Sequence, residues 1–405
     1  MINVAVLGYG TVGSGVVEVI ERNRESINKR IGDEIEIKYV LDLREFPGNP
    51  IQDVLVHDFE IIVSDPEVDI VVETMGGLKP AFEFTKRALE AGKSVCTSNK
   101  ELVAEHGLEL MQTADAHGAN YLFEASCGGG IPIIRALNSS LTADEIDEVT
   151  GILNGTTNYI MTKMAKDGSD FDTALKEAQQ NGYAERNPEA DIEGKDACRK
   201  IAILSSIAYG KDVRWQKVYT EGITKITAED MKYANAMRCS IKLLGTSRMF
   251  NGRVYAMVCP TLINLDNPLY SVQGVFNAIF VHGNVLGDAM FYGSGAGSLP
   301  TASAVVADVV DCAKHRGENV MNQWSSQELE LIDLDEVRGR FFVRISGSLA
   351  GELNSVKEVF GEVEAVSIPG TPGEFGFVTE EMSEREYREK AEQLPGIISM
   401  IRARF

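Results

Sequence analysis

The segment GYAERNPEADIEGKDACRK, from Gly182 to Lys200, gathers several carboxylates around one lysine. Gly182 can adopt the left-handed conformation that ends a helix, and the pattern predicts a new helix from Lys195. Asp196 and Lys200 stand four residues apart in that helix and share one face, where the carboxylate can hold the ammonium in place. A lysine held in this way is a candidate proton donor. The same spacing also fits an ordinary exposed ion pair that only stabilises a helix.

Further carboxylates lie in the turn before this helix, where Pro188 and Gly194 are expected to keep the chain irregular. We expect the turn to expose Glu185, Asp191 and Glu193. A small polar substrate could be bound by these acids and protonated by the lysine.

A glycine pattern follows the first apolar run of the chain. The run Ile2 to Leu7 predicts a strand, and a helical pattern begins after Gly13. The backbone of the GYGTVG sequence between them could bind the pyrophosphate of a dinucleotide at the partly positive helix N-terminus. The residues expected to line that site are Gly8, Gly10, Thr11, Val12 and Gly13. A glycine-rich turn without a ligand is the alternative.

The second predicted strand, Ile35 to Leu41, is followed directly by an acidic residue. Asp42 could accept hydrogen bonds from the adenosine ribose hydroxyls of NAD, whereas Arg44 could pair with the extra phosphate of NADP. Both coenzymes therefore stay open.

Short apolar runs alternate with helical stretches along residues 1–135. The runs are Ile61 to Val63, Ile70 to Val72, Ser94 to Cys96 and Asn120 to Phe123, and the helical stretches are Ala81 to Ala91 and Leu102 to Ala116. This alternation predicts an α/β fold with a doubly wound parallel sheet, in which ligands bind beyond the carboxyl ends of the strands. Polar residues that follow such runs, among them Thr74 and Ser98, are expected to contact the coenzyme. Lys100 could place an ammonium beside the transferred hydride, and a solvated lysine at the start of a helix is the alternative.

The composition excludes several classes of partner. A formal net charge of -21 over 405 residues disfavours binding to phosphate backbones or anionic lipid, so we expect neither nucleic acid nor a membrane as a partner. No apolar run is long enough to span a bilayer, and the six cysteines show no zinc-like spacing. The chain begins with a strand rather than a targeting sequence, and we expect a cytoplasmic protein.

The rest of the chain is expected to form two further units. Residues 136–298 mix amphipathic helices with strand-like runs and interrupt the nucleotide domain, to which a helix within residues 299–322 returns. Asn154 and Thr156 in this insert could face the coenzyme domain or simply cap a helix. Residues 338–405 show the order βαββαβ, which predicts a small C-terminal module.

Several sequence blocks distributed over these parts carry a resemblance to a known family. Besides GYGTVG and the acidic segment, they are VVETMGG, SNKELVA, FEASCGGGIPII, GILNGTTNYIMTKM and GSGAGSLPTASAVVAD. With these blocks the chain resembles the homoserine dehydrogenases. These enzymes interconvert aspartate 4-semialdehyde and L-homoserine with NAD or NADP, in threonine and methionine biosynthesis.

The resemblance implies roles for individual side chains. Lys200 matches the general acid and base of the family, and Lys100 matches the lysine at the coenzyme and the reacting centre. Glu185 matches the residue that binds the substrate. Asp191 and Asp196 match further acids of the same pocket.

Other positions match binding sites of the family. Gly297 and Thr301 match a stretch that returns to the coenzyme. A structural monovalent cation, usually Na+, would be bound by the backbone carbonyls of Glu124, Cys127, Gly129 and Ile131.

By the same resemblance, the insert is a substrate and dimerisation domain, and we expect a homodimer or a dimer of dimers. The C-terminal module resembles an ACT regulatory domain. The Asp-x-Pro-Gly turn that usually follows the first ACT strand is absent, since Ser346 to Gly351 reads SGSLAG. The C-terminal module could therefore bind an amino-acid effector such as threonine, or it could be a purely structural tail.

Two residues depart from the family pattern. Asn187 stands where Asp is more frequent, which removes a negative charge from the pocket. Cys127 stands where an aliphatic residue is common, and a cation bound by the carbonyl would tolerate that change. A thiol at this place also permits an aldehyde dehydrogenase with a cysteine nucleophile. The competing enzyme, an aspartate semialdehyde dehydrogenase, would need a Cys and His pair and would depend on phosphate. A nucleotide-sensing protein without catalysis is the non-enzymatic alternative.

Overall fold

A six-stranded parallel sheet forms the first part of the chain. The structure is a computed structural model and describes residues 1–250 and 252–405. The strands are β1 (Ile2–Leu7), β2 (Ile35–Leu41), β3 (Leu55–Val56), β4 (Ile70–Glu73), β5 (Ser94–Thr97) and β6 (Tyr121–Leu122). The helices are α1 (Thr11–Arg22), α2 (Arg24–Ile31), α3 (Phe59–Ser64), α4 (Ala81–Glu90) and α5 (Lys100–Ala116). The spatial order β3-β2-β1-β4-β5-β6 turns back between β1 and β4, where sheets of this kind bind ligands.

The predicted strand at Ile61 to Val63 is wrong, because these residues lie inside α3. Asp58 caps this helix by accepting a hydrogen bond from the backbone nitrogen of Glu60 at 2.9 Å. A short apolar run does not distinguish a strand from a buried helix face, and here the cap decides the structure. The edge of the sheet is instead formed by β3.

The middle of the chain forms a mixed sheet covered by helices. The strands in this part of the chain are β7 (Ile146–Ile152), β8 (Lys211–Asp212), β9 (Tyr219–Thr220), β10 (Ser240–Phe250), β11 (Arg253–Ile263), β12 (Phe276–Gly283) and β13 (Gly287–Ser294). The helices are α6 (Ile133–Arg135), α7 (Gly155–Asp167), α8 (Phe171–Gln180), α9 (Glu189–Ile192), α10 (Lys195–Tyr209) and α11 (Ala228–Ala236). The antiparallel strands β12, β7, β10 and β11 lie side by side, and β8 pairs outside this sheet.

Helix α12 (Ser298–Lys314) then returns to the first sheet, as the sequence predicts. It packs on α1, and the hydroxyl of Ser298 donates a hydrogen bond to the carbonyl of Thr11 at 2.6 Å. A side chain at Gly15 would place its Cβ 2.7 Å from the Ser298 hydroxyl, so the glycine permits this close approach.

The C-terminal residues extend the mixed sheet. The strands are β14 (Ser325–Glu328), β15 (Arg338–Ser346), β16 (Val363–Val366), β17 (Glu374–Thr379), β18 (Met382–Ser383) and β19 (Ile397–Arg404), and the helices are α13 (Leu349–Phe360) and α14 (Glu384–Ala391). From β15 onward the order is the predicted βαββαβ, with the two-residue strand β18 added. Strand β19 pairs with both β11 and β15, so one eleven-stranded sheet joins the two units. Among the residues that the structure describes, no helix combines the length and hydropathy needed to cross a membrane.

A buried ion network joins the C-terminal module to helix α11. The Arg344 guanidinium, in a residue that is only 3% exposed, lies 2.9 Å from a carboxylate oxygen of Asp230 and 2.7 Å from one of Glu374. Asp230 is itself fully buried and also accepts a hydrogen bond from Ser399 of β19. Removing Asp230 would leave the buried Arg344 guanidinium with one carboxylate partner, Glu374, and would deprive Ser399 of its acceptor.

We therefore expect Asp230→Ala to lower the free energy of unfolding by about 3 kcal/mol or more. The measurement is urea denaturation followed by circular dichroism. The matched control is Arg388→Ala, which removes an exposed pair with Asp335 and should change the stability little. Equal losses in the two variants would contradict the structural role given to the buried network.

Candidate active site

Three charged side chains from distant parts of the chain meet between α5 and α10. Lys100 is the first residue of α5, directly beyond the carboxyl end of β5, and its Nζ lies 2.7 Å from Oδ1 of Asp196. The Nζ of Lys200 lies 2.7 Å from the other oxygen of the same carboxylate. Lys200 also donates a hydrogen bond to the carbonyl of Leu153 at 2.8 Å. One carboxylate thus binds both of the lysines that the sequence singles out.

The pair of Asp196 and Lys200 is buried and is not an exposed helix pair, whereas the Lys100 side chain is 39% exposed. The side chains of Asp196 and Lys200 are only 4% and 10% exposed. Burial alone would raise the pKa of Asp196, but the ammonium groups of Lys200 and Lys100 outweigh it and hold the pKa below its ordinary value. The Asp196 carboxylate in turn raises the pKa of Lys100. Asp196 therefore stays ionised and keeps Lys100 protonated.

Asn154 connects this group to the acidic turn. Its Nδ2 donates hydrogen bonds to Asp191 at 2.7 Å and to Asp196 at 2.9 Å. Its Oδ1 accepts a hydrogen bond from the backbone nitrogen of Thr157 at 2.9 Å, which caps α7. Asn154 thus caps a helix, which is one of the two predicted alternatives, and its amide also links Asp191 to Asp196. Burial first, and then the neighbouring Asp196, raise the pKa of Asp191.

The acidic turn differs in part from the prediction. Residues Glu189–Ile192 form a single helical turn instead of an irregular stretch, and Asp191 is half-buried where exposure was expected. Glu185 and Asn187 are exposed. Within residues 1–250 and 252–405, the Glu185 carboxylate makes no hydrogen bond or ion pair, so the structure does not join it to Asp196. Glu193 is half-buried and accepts a hydrogen bond from Thr224 at 3.2 Å.

The glycine turn between β1 and α1 has the shape that a dinucleotide requires. Gly8 has a φ of 92°, which favours glycine. A Cβ on Gly13 would overlap the carbonyl of Gly8 and lie 2.8 Å from the hydroxyl of Thr74, so this glycine permits the close packing of helix on strand. Nothing lies within 4 Å of a Cβ on Gly10, which therefore borders open space. Thr11 begins α1, and the residues fit a pyrophosphate at this helix N-terminus.

Asp42 and Arg44 lie beside this turn, and they pair with each other. The Arg44 Nη2 is 2.9 Å from the Asp42 carboxylate and 3.0 Å from the carbonyl of Tyr9. The Asp42 carboxylate also accepts a hydrogen bond from the Tyr9 backbone nitrogen at 2.8 Å. Arg44 lowers the pKa of Asp42 more than burial raises it. This pairing does not distinguish NAD from NADP.

Glu73 organises the loops that follow β4 and β5, and the sequence motifs gave it no role. It is fully buried and accepts hydrogen bonds from the Thr97 hydroxyl at 2.6 Å and the Met75 backbone nitrogen at 2.8 Å. Burial raises its pKa. Asn99 donates to the carbonyl of Gly77 at 2.6 Å and links the two loops. An acid that ends a buried apolar run is the sequence signal that could have indicated this role.

The other residues predicted to contact the coenzyme lie after β4, after β5 and at the start of α12. The hydroxyl of Thr74 donates hydrogen bonds to the carbonyls of Leu7 and Gly8, both at 3.0 Å. Ser98 is half-buried, between Thr97 and Asn99. Gly297 precedes α12 with a φ of 121°, and its carbonyl accepts a hydrogen bond from the Thr301 backbone nitrogen at 3.1 Å.

Residues 124–131 form a buried loop with two consecutive left-handed glycines. Gly128 and Gly129 have φ values of 73° and 57°. The carbonyls of Glu124 and Ile131 accept backbone hydrogen bonds within the loop or just beyond it. In the part of the chain that the structure describes, no group of three or more His, Cys, Asp or Glu side chains could hold a metal ion, so a cation here would need carbonyl ligands.

Cys127 has none of the properties of a nucleophile. It is fully buried, and burial raises the pKa of its thiol to about 12. Reactive thiols instead have lowered pKa values and partial exposure. The thiol donates a hydrogen bond to the backbone carbonyl of Lys200 at 3.7 Å. These properties argue against an aldehyde dehydrogenase that uses this cysteine.

Models of one protein family match two long segments of this chain. Residues 8–124 match the family model described as "Homoserine dehydrogenase, NAD binding domain", and residues 132–310 match "Homoserine dehydrogenase". A homoserine dehydrogenase of Neisseria gonorrhoeae is 41% identical over 354 residues, which are 85% of this chain and 81% of that protein.

Solved structures agree with this assignment. The crystal structure of a homoserine dehydrogenase from Thiobacillus denitrificans has a TM-score of 0.92 and 37% identity, and the match covers 100% of this chain and 98% of that one. A hyperthermophilic archaeal homoserine dehydrogenase in complex with NADPH has a TM-score of 0.65 and 28% identity, and that match covers 77% of this chain and 97% of the archaeal chain. Because a relative that is 41% identical matches 85% of the chain and the two family models match its first and middle parts, the chain belongs to the homoserine dehydrogenase family of NAD(P)-dependent oxidoreductases.

Proposed function

We propose that Lys200 and Lys100 act together at the oxygen atom that interconverts between the hydroxyl of L-homoserine and the aldehyde of aspartate 4-semialdehyde. The observation that carries this proposal is the pair of 2.7 Å contacts from the two ammonium groups to the single carboxylate of Asp196. Lys100 stands at the end of β5, on the edge of the sheet where the coenzyme site lies, and Lys200 comes from the insert. The reacting oxygen would lie between two units of the chain.

The charges suit the reaction in both directions. When bound, the nicotinamide coenzyme supplies the hydride or accepts it. As the aldehyde is reduced, negative charge develops on its oxygen, and Lys200 donates a proton to that oxygen while the Lys100 ammonium stabilises the charge. In the oxidation of homoserine, Lys200 starts as the neutral amine and accepts the hydroxyl proton, which converts it to the ammonium. Asp196 orients both amines through its two oxygens and keeps Lys100 charged.

The acids of the turn would bind the α-ammonium group of the substrate. Asp191 is half-buried, fixed by Asn154, and has a raised pKa because of its burial, so an arriving cation would compensate a desolvated carboxylate. Glu185 has an exposed carboxylate that is available for a second contact. With Asn187 in place of an acid, the pocket depends more strongly on these two residues.

The coenzyme would be bound by the glycine turn, by the loops after β4 and β5, and by the start of α12. The residues that we assign to it are Gly8, Gly10, Thr11, Val12, Gly13, Asp42, Arg44, Thr74, Ser98, Lys100, Gly297 and Thr301. A 2′-phosphate of NADP would compete with Asp42 for Arg44, whereas the ribose hydroxyls of NAD would bind Asp42 itself. The proposal includes both coenzymes, and a parallel assay with each measures the preference.

We extend the proposal to the structural roles that the family resemblance implies. The carbonyls of Glu124, Cys127, Gly129 and Ile131 would bind Na+, and the ion would stabilise the loop that contains them.

Residues 1–135 together with residues 299–322 would form the nucleotide domain. Residues 136–298 would form the substrate and dimerisation domain of a homodimer or a dimer of dimers. Residues 338–405 would form an ACT-like module that can take an amino-acid effector. Catalysis in the cytoplasm is consistent with the coenzyme and with the six free cysteines.

We expect Lys200→Ala to lower kcat for homoserine oxidation by about 100-fold or more, because the proton acceptor is lost. Lys100→Ala should also lower kcat, through loss of the charge beside the reacting oxygen. Glu185→Ala is the comparison variant and should mainly raise the Michaelis constant for homoserine, since it would bind only the substrate ammonium.

The assay follows the nicotinamide absorbance with NAD and NADP in parallel, without and with phosphate, and without and with threonine. Near-normal turnover in both lysine variants would refute the assignment. An activity that requires phosphate would instead indicate an aspartate semialdehyde dehydrogenase.

The glycine turn offers a matched pair of substitutions that separates folding from coenzyme binding. Gly13→Ala puts a methyl group onto the carbonyl of Gly8, and we expect it to lower the melting temperature. Gly10→Ala meets no atom within 4 Å, so it should keep the melting temperature and weaken coenzyme binding. Calorimetry with and without coenzyme measures both. A Gly10→Ala protein that binds the coenzyme normally would remove this turn from the site.

A further inference from the structure

Arg402, on the last strand of the chain, makes a buried connection between the C-terminal module and the substrate unit. Its side chain is 11% exposed, and Nη1 donates a hydrogen bond to the carboxylate of Glu221 at 2.8 Å. Nη2 donates to Glu384, the first residue of α14, at 3.1 Å. The guanidinium lies 4.9 Å from the ring centre of Tyr219, whose hydroxyl donates to Glu221 at 3.2 Å. Arg402 of the C-terminal module thus binds Glu221 of the substrate unit.

Glu221 belongs to a segment on which the acidic turn of the active site rests. Residues 219–224 contact the turn at Ile192 to Gly194 through the backbone. The backbone nitrogen of Ile223 donates a hydrogen bond to the carbonyl of Ile192 at 2.8 Å. A Cβ on Gly222 would lie 2.5 Å from the Cα of Glu193, so only a glycine allows this approach. The two backbones are therefore in direct contact, without an intervening side chain.

The turn supported in this way carries the catalytic group. Asp191 precedes Ile192, and Gly194 directly precedes α10, which contains Asp196 and Lys200. A Cβ on Gly194 would lie 3.2 Å from Thr220 and from Val258 of β11, so this end of the turn is also closely packed. A displacement of residues 219–224 would therefore be transmitted to Asp191 and to the start of α10.

We propose that Arg402 is a positioning residue for the reaction: through Glu221 it fixes residues 219–224, and these fix the turn that places Asp191, Asp196 and Lys200. The inference rests on the proposed roles of those three residues. It assigns to the C-terminal module a constant supporting role in the catalytic geometry. A displacement of a reacting group by about 1 Å can cost about 100-fold in rate, so a weakened support has a measurable effect.

The test compares Arg402→Gln and Glu221→Gln with Arg404→Gln. Arg404 lies on the same strand and pairs with Glu148 and Thr150 of β7, away from residues 219–224. We expect the first two variants to raise the Michaelis constant for homoserine and to lower kcat, with a combined loss in kcat/KM of about tenfold or more. The Michaelis constant for the coenzyme should not change. Arg404→Gln should keep all three parameters, and Arg402→Lys should restore part of the loss because it keeps the charge opposite Glu221.

A further variant and a further measurement keep the inference testable if Arg402→Gln folds poorly or if homoserine turnover cannot be measured. Gly222→Ala keeps every ion pair but displaces the turn directly, and should cause the same selective loss. Amide hydrogen exchange of residues 189–194 should be faster in Arg402→Gln and Glu221→Gln than in Arg404→Gln, whether or not homoserine is the substrate.

Equal exchange in all three variants, or kinetic losses that affect homoserine and coenzyme alike, would overturn the inference. A wild-type chain without homoserine turnover would instead contradict the proposed function, and the exchange result would still decide the role of Arg402.

Discussion

The candidate active site depends on the ion pairs and hydrogen bonds of the Asp196 carboxylate. It is almost completely buried, and a buried charge is stable only if other charges and hydrogen bonds replace the water that it has lost. Lys100, Lys200 and Asn154 supply these partners, and each belongs to a different element, at the start of α5, within α10 and before α7. The electrostatic requirement of one acid therefore brings together the two lysines to which we assign the reaction.

The fold delivers these groups through rigid elements. The parallel sheet places Lys100 where β5 ends, and the hydrogen bonds of Glu73 and Asn99 fix the loops around it. Helix α10 presents Asp196 and Lys200 on one face, and the turn before this helix rests on residues 219–224. Strand β19 pairs with β11 and so joins the module at residues 338–405 to the mixed sheet. A small movement of any of these elements would change the distances between the two amines.

The sequence predicted those parts of this arrangement that depend on local spacing. The i,i+4 relation of Asp196 and Lys200, the glycine turn, and most strands and helices follow from patterns within a few residues. The contact between Lys100 and Asp196 joins residues far apart in the chain, and only the resemblance to a family pointed to it. Ile61 to Val63 was assigned to a strand because a short apolar run has no distinct period, and a capping aspartate decided for a helix. The pairing of β19 with β11 depends on a long-range register that no local pattern indicates.

The pH dependence of aldehyde reduction in the Asp196→Asn variant tests the central claim most directly. In the wild-type chain the Asp196 carboxylate raises the pKa of Lys100, so the activity that needs an ammonium group persists to high pH. The amide keeps the shape and removes the charge, so the largest contribution that raises the pKa of Lys100 is lost and that pKa falls. We predict that the basic limb of the kcat/KM profile moves to lower pH. A profile that coincides with that of the wild-type chain would contradict the account.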